Sequence, residues 1–198
     1  MQLRTESDIL DIIRNDDWMI GIIHTASRLH LLDWWICAGF VRSKIWDALH
    51  GFEERTPLAD VDVVYFDPEN TDESSEKRYE RELLQLRPDI PWSVKNQARM
   101  HVLNDNPPYR SAFDDIGHFT ETATALGVKT DYAGELLLAA PHGIEDVLQL
   151  RVKPSPHCRT SPRLLAVYDK RVADKRWKER WHLLTYAPAG PDERQPQG

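Results

Sequence analysis

Apolar positions change their spacing at one glycine in the first third of the chain, and this change predicts two consecutive elements. Residues 34–38 form a continuous apolar run of strand length. Gly39 interrupts the run, and Val41, Ile45 and Leu49 then recur every four residues. That spacing is typical of a helix. The pattern therefore predicts a strand, a glycine turn and a helix.

A second apolar run, residues 60–67, is interrupted by acids and predicts a strand with two unlike faces. Side chains alternate between the two faces of a strand. One face is then wholly apolar, which indicates that it is buried. The other face carries both Asp60 and Asp62 near its beginning. The apolar face comprises Val61, Val63 and Tyr65, and the second face comprises Asp60, Asp62, Val64 and Phe66.

Other patterns complete the predicted order of elements. Thr5 and Asp8 form a capping-box pattern for a first helix, and a second helix is predicted from Asn15 or Asp16. Residues 1–33 are thus interpreted as a helical cap. Further predictions, in chain order, are a charged helix over 72–86, a strand over 92–102, a short helix over 111–119, two short strands around a turn at 131–134, and a helix over 164–181 docked by Trp177 and Trp181.

Composition narrows the class of protein. The 198 residues are 41% apolar with a net charge of -7, which is enough for a core and gives no overall signal for nucleic-acid coating. Cys37 and Cys158 form no metal-ligand spacing or disulfide framework. No export signal or membrane-length apolar run is found, so we expect a cytoplasmic protein without membrane contact. We predict one domain over 1–187 and a disordered tail over 188–198.

The paired acids are the main candidate for chemistry. Next-but-one residues on a strand lie roughly 6–7 Å apart, so Asp60 and Asp62 could hold a Mg²⁺ ion together with substrate phosphates. The alternative is an edge strand with solvated acids. Likewise, the helix after Gly39 begins where a phosphate could bind, or the glycine is only a turn. Lys95 and Arg99 form either a phosphate-binding stripe or a solvated face.

Two neighbouring blocks, AGFVRSKIWD and LADVDVVYFD, resemble the nucleotidyltransferase superfamily that includes DNA polymerase beta and the aminoglycoside nucleotidyltransferases. More narrowly, the chain resembles a family of small bacterial nucleotidyltransferase-like proteins. That narrower resemblance also covers WSVKNQARMH, FTETATALGV, AAPHGIEDVLQL and KRWKERW, about residues 34–181. It implies an α+β fold: a polymerase-beta-like core of mixed sheet flanked by helices, with N-terminal helices and a C-terminal helix.

The resemblance also implies roles for single residues. Gly39 takes the place of the phosphate-turn glycine, and Arg42 and Ser43 fall where such enzymes hold the triphosphate. Asp60 and Asp62 match the catalytic metal-binding pair, with Mg²⁺ as the cofactor. The expected reaction moves a nucleoside monophosphate from a nucleoside triphosphate to an unidentified acceptor hydroxyl on a small molecule, a protein or an RNA end. Three further residues are expected to contact the nucleotide: Lys95, Asn96 and Thr122, the last from a predicted strand in which Thr120, Thr122 and Thr124 face one side.

The chain also departs from the superfamily pattern. The superfamily has two small residues at the turn, where this chain has Gly39 followed by Phe40. Its third carboxylate is missing from 92–102, where Asn96 takes that place, and Glu121 or Asp146 are the candidates elsewhere. Two alternatives to an enzyme therefore stay open. One is a nucleotide-binding or protein-interaction module without turnover, and the other is RNA binding by the basic segment 170–180.

Overall fold

The computed structural model describes residues 3–104 and 106–188, which form one five-stranded mixed sheet with helices on both faces. The sheet order is β3-β2-β1-β4-β5, with β1 antiparallel to both neighbours and β2 parallel to β3. The predicted α+β fold with flanking helices is confirmed. The elements in chain order are α1 (Glu6–Arg14), α2 (Asp17–Ser27), β1 (Trp34–Cys37), α3 (Gly39–His50), β2 (Val61–Tyr65), α4 (Glu73–Leu86), β3 (Trp92–Asn96), α5 (Gln97–Leu103), α6 (Ala112–Gly117), β4 (Gly127–Thr130), β5 (Leu136–Ala139), α7 (Glu145–Leu148), β6 (Arg151–Val152), α8 (Pro162–Lys175) and β7 (Thr185–Tyr186).

The two faces of the sheet have different neighbours, and β2 shows the predicted alternation. Val61, Val63 and Tyr65 belong to the main core, which contains buried residues of α1, α2 and α3. Val64 belongs instead to a second cluster with Trp35, Cys37 and residues of α6. Asp60 and Asp62 have the same parity as Val64, so their side chains lie on the second face.

The N-terminal helices begin as predicted. Thr5 and Asp8 form the capping box of α1, and Asp16 caps α2 through a hydrogen bond from the backbone N–H of Met19. Asp16 also accepts from Lys44 of α3 and from Arg55 in the following loop, both at 2.8 Å. This carboxylate therefore ties the helical cap to the element that follows β1.

We predict that Asp16→Asn lowers the free energy of unfolding by about 2 kcal/mol at neutral pH. Burial alone would raise the pKa of Asp16, but hydrogen bonds from Arg55, Lys44 and Met19 outweigh it and lower the pKa to about 2. The ionised group is therefore stabilising above its ordinary pKa, and this contribution is lost as the pH falls through about 4 towards 2. Urea unfolding measured against pH checks the prediction. Asp11→Asn, which breaks an exposed pair with Arg14, should change little.

Three sequence predictions about the edges of elements are wrong. The strand predicted over 92–102 ends at Asn96, because its partner β2 ends at Tyr65, which pairs with Asn96. Asn96 then caps α5, with its Oδ1 accepting from the N–H of Ala98 at 3.1 Å. Residues 122–124 form a 3₁₀ turn rather than a strand. The helix predicted over 164–181 ends at Lys175, because Arg176 adopts a left-handed conformation.

The remaining predictions have separate outcomes. The short strands around 131–134 are confirmed as β4 and β5. Docking of the C-terminal segment is also confirmed, since Trp177 and Trp181 lie edge-on to Trp46 at 5.7 and 5.1 Å. Residues 189–198 of the predicted disordered tail lie outside the described residues. The single domain over 1–187 stays a prediction. None of the described helices is long and apolar enough to cross a bilayer.

Candidate functional site

The turn between β1 and α3 contains two small residues, Ala38 and Gly39. Ala38 has φ 53° and ψ -114°, a backbone conformation that residues with a side chain rarely adopt. No side chain caps α3, so the backbone N–H groups of its first turn remain available to an anion. The sequence argument aligned the superfamily's two small residues with Gly39 and Phe40, and therefore predicted that the tight turn is only partly kept. The structure shows that the pair is Ala38 and Gly39, so the tight turn is complete.

Arg42 lies one turn into α3 in a cage of indole rings. Its guanidinium carbon is 4.8, 4.9 and 5.5 Å from the ring centroids of Trp46, Trp177 and Trp181. The side chain is buried and donates to the Ser43 hydroxyl at 3.2 Å. Its Nε has no hydrogen-bond partner among the described residues. Burial lowers the pKa of Arg42 to about 10, so it is still a cation at neutral pH.

The loop before β2 is fixed by one carboxylate. Asp47 of α3 accepts from the Thr56 hydroxyl at 2.6 Å, from the Thr56 N–H at 2.8 Å and from Trp181 Nε1 at 2.8 Å. Arg180 Nε adds a bond to the Thr56 hydroxyl at 2.7 Å. Because these bonds join α3, the loop and the C-terminal segment, they set the position from which Asp60 enters β2.

Asp60 and Asp62 form a like-charged pair, and Arg171 and Lys175 offset the charge of Asp62 only in part. Asp60 is exposed, whereas Asp62 is half-buried and bonds to the Ser93 hydroxyl. Burial, followed by the negative charge of Asp60, raises the pKa of Asp62 to about 6. Neither acid forms an ion pair with a cation among the described residues. Two adjacent carboxylates with unbalanced charge fit a hard divalent cation such as Mg²⁺.

Each of the two acids lines a different cavity. The first cavity, of about 970 Å³, is lined by Gly39, Arg42, Ser43 and Asp60, with Lys175 and Arg180 among its cations. The second cavity, of about 620 Å³, lies on the Asp62 side of the site. Helix α8 contributes to both cavities. Arg171 of α8 is 2.8 Å from the fully buried Glu121, although the angle is outside that of a hydrogen bond. This ion pair anchors α8 beside the acids.

Two of the predicted nucleotide contacts, Asn96 and Thr122, lie away from the acids, and the third, Lys95, is neutralised. In the parallel register Asp62 pairs with Ser93, so Asn96 lies three residues, about 10 Å, further along. The Asn96 amide donates to the carbonyls of Asp67 and Asn70. Thr122 donates to Asp146 at 2.7 Å and lines neither cavity. Lys95 lines the second cavity, but Glu76 and Glu80 neutralise it at 3.4 and 3.6 Å.

Of the two other candidates for a third acid, only Glu121 lies beside the site. Asp146 is bonded to Thr122 and paired with Arg151 and Lys153. Among the described residues, no group of three or more histidine, cysteine or acidic side chains could hold a metal ion. Asp115, which lines the second cavity, was missed from the sequence. It lies in a short helix between loops, and no local pattern distinguishes it from its neighbour Asp114.

The glycine turn, the caged guanidinium and the paired acids lie at one end of β1 and β2, where α3 begins. A family model described as nucleotidyltransferase matches residues 24–186. The chain therefore belongs to this nucleotidyltransferase family. No protein of curated function matches the chain.

Solved structures agree with the family. An NMR structure described as revealing a CCA-adding enzyme head domain has a TM-score of 0.85 and 29% identity, covering 94% of this chain and 97% of its own. A CCA-adding enzyme with CTP has a TM-score of 0.58 and 12% identity over 94% of this chain and 44% of the enzyme. A CCA-adding enzyme with ATP has a TM-score of 0.53 and 15% identity, covering 94% of this chain and 43% of the enzyme. The last two show the shared fold, and this chain spans less than half their length.

Proposed function

We propose that this protein is a Mg²⁺-dependent nucleotidyltransferase that moves a nucleoside monophosphate from a nucleoside triphosphate to an acceptor hydroxyl. The observation that carries the proposal is that acidic and basic groups without ion-pair partners occur around one turn. Among the described residues, Asp60 and Asp62 form no ion pair with a cation and Arg42 forms none with an anion, and no side chain caps the start of α3. A Mg²⁺–triphosphate complex supplies both. The structures of CCA-adding enzymes with CTP and ATP support this choice of ligand.

The first cavity is the proposed triphosphate site. Gly39, Arg42 and Ser43 line it, so backbone N–H groups, a guanidinium and a hydroxyl are available to phosphate oxygens. Lys175 and Arg180 add positive charge at the same cavity. Because the indole cage already holds Arg42 in place, little side-chain freedom is lost when it binds phosphate.

In the proposed reaction, an acceptor hydroxyl oxygen forms a bond to the α-phosphorus, the bond to pyrophosphate breaks, and the hydroxyl proton is released to water. Asp60 and Asp62 would hold the metal, which neutralises the phosphate charge and activates the attacking oxygen when it is bound. The protein's own residues position the reactants. Arg42 and the N-terminus of α3 orient the triphosphate, and Asp62 faces the second cavity, from which an acceptor would approach.

Two measurements on the wild-type protein test the proposal. Thermal melting with each nucleoside triphosphate should show stabilisation that requires Mg²⁺. Pyrophosphate release should appear with at least one acceptor from a panel of alcohols, hydroxyl-bearing proteins and RNA ends. If no triphosphate stabilises the protein in the presence of Mg²⁺, the proposed function is wrong.

A second candidate is a nucleotide-binding module of the same fold without turnover. It is favoured by the lack of a three-residue metal cluster in the described part of the chain. Tight triphosphate binding without pyrophosphate release across the acceptor panel would support this candidate, and detected release would exclude it. RNA binding by segment 170–180 has less support, because Lys170, Arg171 and Arg176 are ion-paired with acids of this chain.

We also infer a cytoplasmic location. Cys37 and Cys158 are both free thiols in the structure. Free thiols are the usual state in a reducing compartment. Detection of the protein in a cytosolic fraction would support this inference, and detection in an exported fraction would contradict it.

The Gly39→Ala variant should test phosphate binding without disturbing the fold. A Cβ at this position would lie 3.6 Å from Arg42 Nη2 and 4.0 Å from Leu58 Cδ2, which are ordinary contacts. We therefore expect an unchanged melting temperature without nucleotide. A methyl group at the phosphate site should weaken Mg²⁺–nucleotide binding by about tenfold, the effect of 1.4 kcal/mol. Calorimetric titration measures this loss. Unchanged affinity would mean that phosphate does not approach Gly39.

A further inference from the structure

The second cavity has the size and lining of a small-molecule site. Its volume of about 620 Å³ falls within the range of ligand pockets in proteins. One part of the wall is apolar and comes from α5, α8 and the segment after α6. The opposite part is polar and comes mainly from α6 and the loops beside it. The apolar part includes Met100, Phe119, Leu164 and Val167, and the polar part includes Asn106, Asp115, His118 and His157; Lys95, Glu121, Arg163 and Arg171 also line the cavity.

Among the described residues, Asp115 is the one buried carboxylate lining this cavity that forms no ion pair. Its Oδ2 has no hydrogen-bond partner, and the side chain is only 3% exposed. The helix that carries it is fixed at its start by Ser111, whose hydroxyl accepts from Asp114 N, and by Asp33, which accepts from Ala112 N. The Asp115 side chain is therefore held in place with one oxygen, Oδ2, left without a partner. A buried unpaired acid is costly unless a ligand satisfies it.

Asp115 lies near the end of the cavity that contains Asp62. The thiol of Cys37, the last residue of β1, is fully buried, and its pKa is raised first by burial and then by the charges of Asp115 and Asp62. Both acids are thus within electrostatic range of one atom. A molecule held at Asp115 could reach the metal-binding face of the site.

Two of the cations that line the cavity are already neutralised by acids of this chain. Lys95 is paired with Glu76 and Glu80, and Arg171 is paired with Glu121. Arg163 also lines the cavity, and the pKa of His157 is lowered first by burial and then by the charges of His118 and Arg163. Burial, followed by the charge of Asp114, raises the pKa of Asp115 to about 7, so a cation placed beside it would favour the ionised form.

We propose that the second cavity binds the acceptor, and that this acceptor is a small molecule with a basic amine and a hydroxyl, whose ammonium group is bound by the Asp115 carboxylate. This proposal rests on the proposed function, since only a transferase has an acceptor. Binding of a molecule to the cavity can nevertheless be measured without nucleotide. The rings of His118 and His157, whose centroids are 4.5 Å apart, form the adjoining wall and report occupancy.

The test uses three sugars that share one ring and differ in charge: glucosamine, glucose and glucose 6-phosphate. NMR spectra of the imidazole groups follow the signals of His118 and His157, assigned with single His→Gln variants. Glucosamine should shift both signals and bind about tenfold more tightly than glucose, which corresponds to 1.4 kcal/mol. Glucose 6-phosphate should bind more weakly than glucose.

Asp115→Asn should abolish the preference for glucosamine over glucose. Asp114→Asn is the matched control, since it removes the same charge from the neighbouring residue of α6, whose carboxylate is bonded to Arg110 instead. That control should keep the preference. Amide spectra of both variants check that the fold is retained.

Three outcomes would overturn this inference: no sugar shifts the two signals, glucose 6-phosphate binds as tightly as glucosamine, or the amine preference survives Asp115→Asn. Melting with Mg²⁺–ATP on the same samples separates this result from the proposed function. Nucleotide stabilisation without sugar binding contradicts only the acceptor site. Sugar binding without nucleotide stabilisation supports the cavity as a site for cations and contradicts the proposed transfer.

Discussion

Asp62→Asn is expected to abolish nucleotidyl transfer and to stabilise the nucleotide-free protein. Transfer should fall by about a thousandfold, as when one preorganised electrostatic group is removed from an active site. Mg²⁺-dependent stabilisation by nucleotide should disappear with it, because Asp60 alone holds a divalent cation poorly. Pyrophosphate release and thermal melting with and without Mg²⁺ measure both effects.

The stability gain follows from the direction of the Asp62 pKa. Burial and Asp60 raise it from 3.8 to about 6, so ionisation of Asp62 destabilises the folded state. The penalty is absent below about pH 4, grows as the pH rises to 6 and is constant above that. Allowing for the partial exposure of Asp62, asparagine should add about 1–2 kcal/mol at pH 7.

The matched variant is Asp60→Asn, which should also lose transfer but should stabilise the protein less, because Asp60 is exposed. A stability gain from Asp62→Asn that persists at pH 3 would contradict the electrostatic explanation. Full turnover in either variant would show that the pair does not hold the catalytic metal.

Arg42→Met is expected to weaken Mg²⁺–nucleotide binding by about 10- to 100-fold, the value of one charge-assisted hydrogen bond at about 1.5–3 kcal/mol. The melting temperature without nucleotide should change little. The methionine stem still packs among the rings of Trp46, Trp177 and Trp181, and the cost of burying a cation is removed. Calorimetric titration and thermal melting measure the two quantities.

Arg42→Lys and Arg78→Met make this prediction specific. Lysine keeps the charge but loses the planar stacking, so the affinity should be intermediate. Arg78 also lies over a ring, 4.8 Å from that of Tyr79, but its side chain is 55% exposed and lines neither cavity. Its replacement should leave nucleotide binding unchanged. If Arg42→Met binds nucleotide like the wild type, the guanidinium only supports the indole cage.

The local features of the fold could be read from the sequence because each depends on residues close together in the chain. The capping box of Thr5 and Asp8 spans four residues and is confirmed. The alternation in β2 separates its core residues from Val64, because the pleat of a strand has a period of two. The change of spacing at Gly39 marks the beginning of α3.

The expectations for Asn96 and Ala38 depended on register and on backbone conformation. Asn96 was assigned to the place of a third acid, but the register of β2 against β3 puts Ser93 beside Asp62. Residues of one strand do not specify which residue of a parallel neighbour pairs with them, since that neighbour is reached through α4. Ala38 was not recognised as part of the turn, because nothing in the amino-acid sequence indicates that an alanine adopts a positive φ.

The sequence by itself determined the family pattern, the paired acids on one face and the glycine turn, because those features repeat at the period of a strand or a helix. Only the tertiary structure decided what surrounds them. Trp177 and Trp181 are more than 130 residues from Arg42 in the chain, and Asp115 is more than 50 residues from Asp62. The indole cage, the second cavity and the unpaired Asp115 arise from such contacts between distant segments, and no local pattern encodes them.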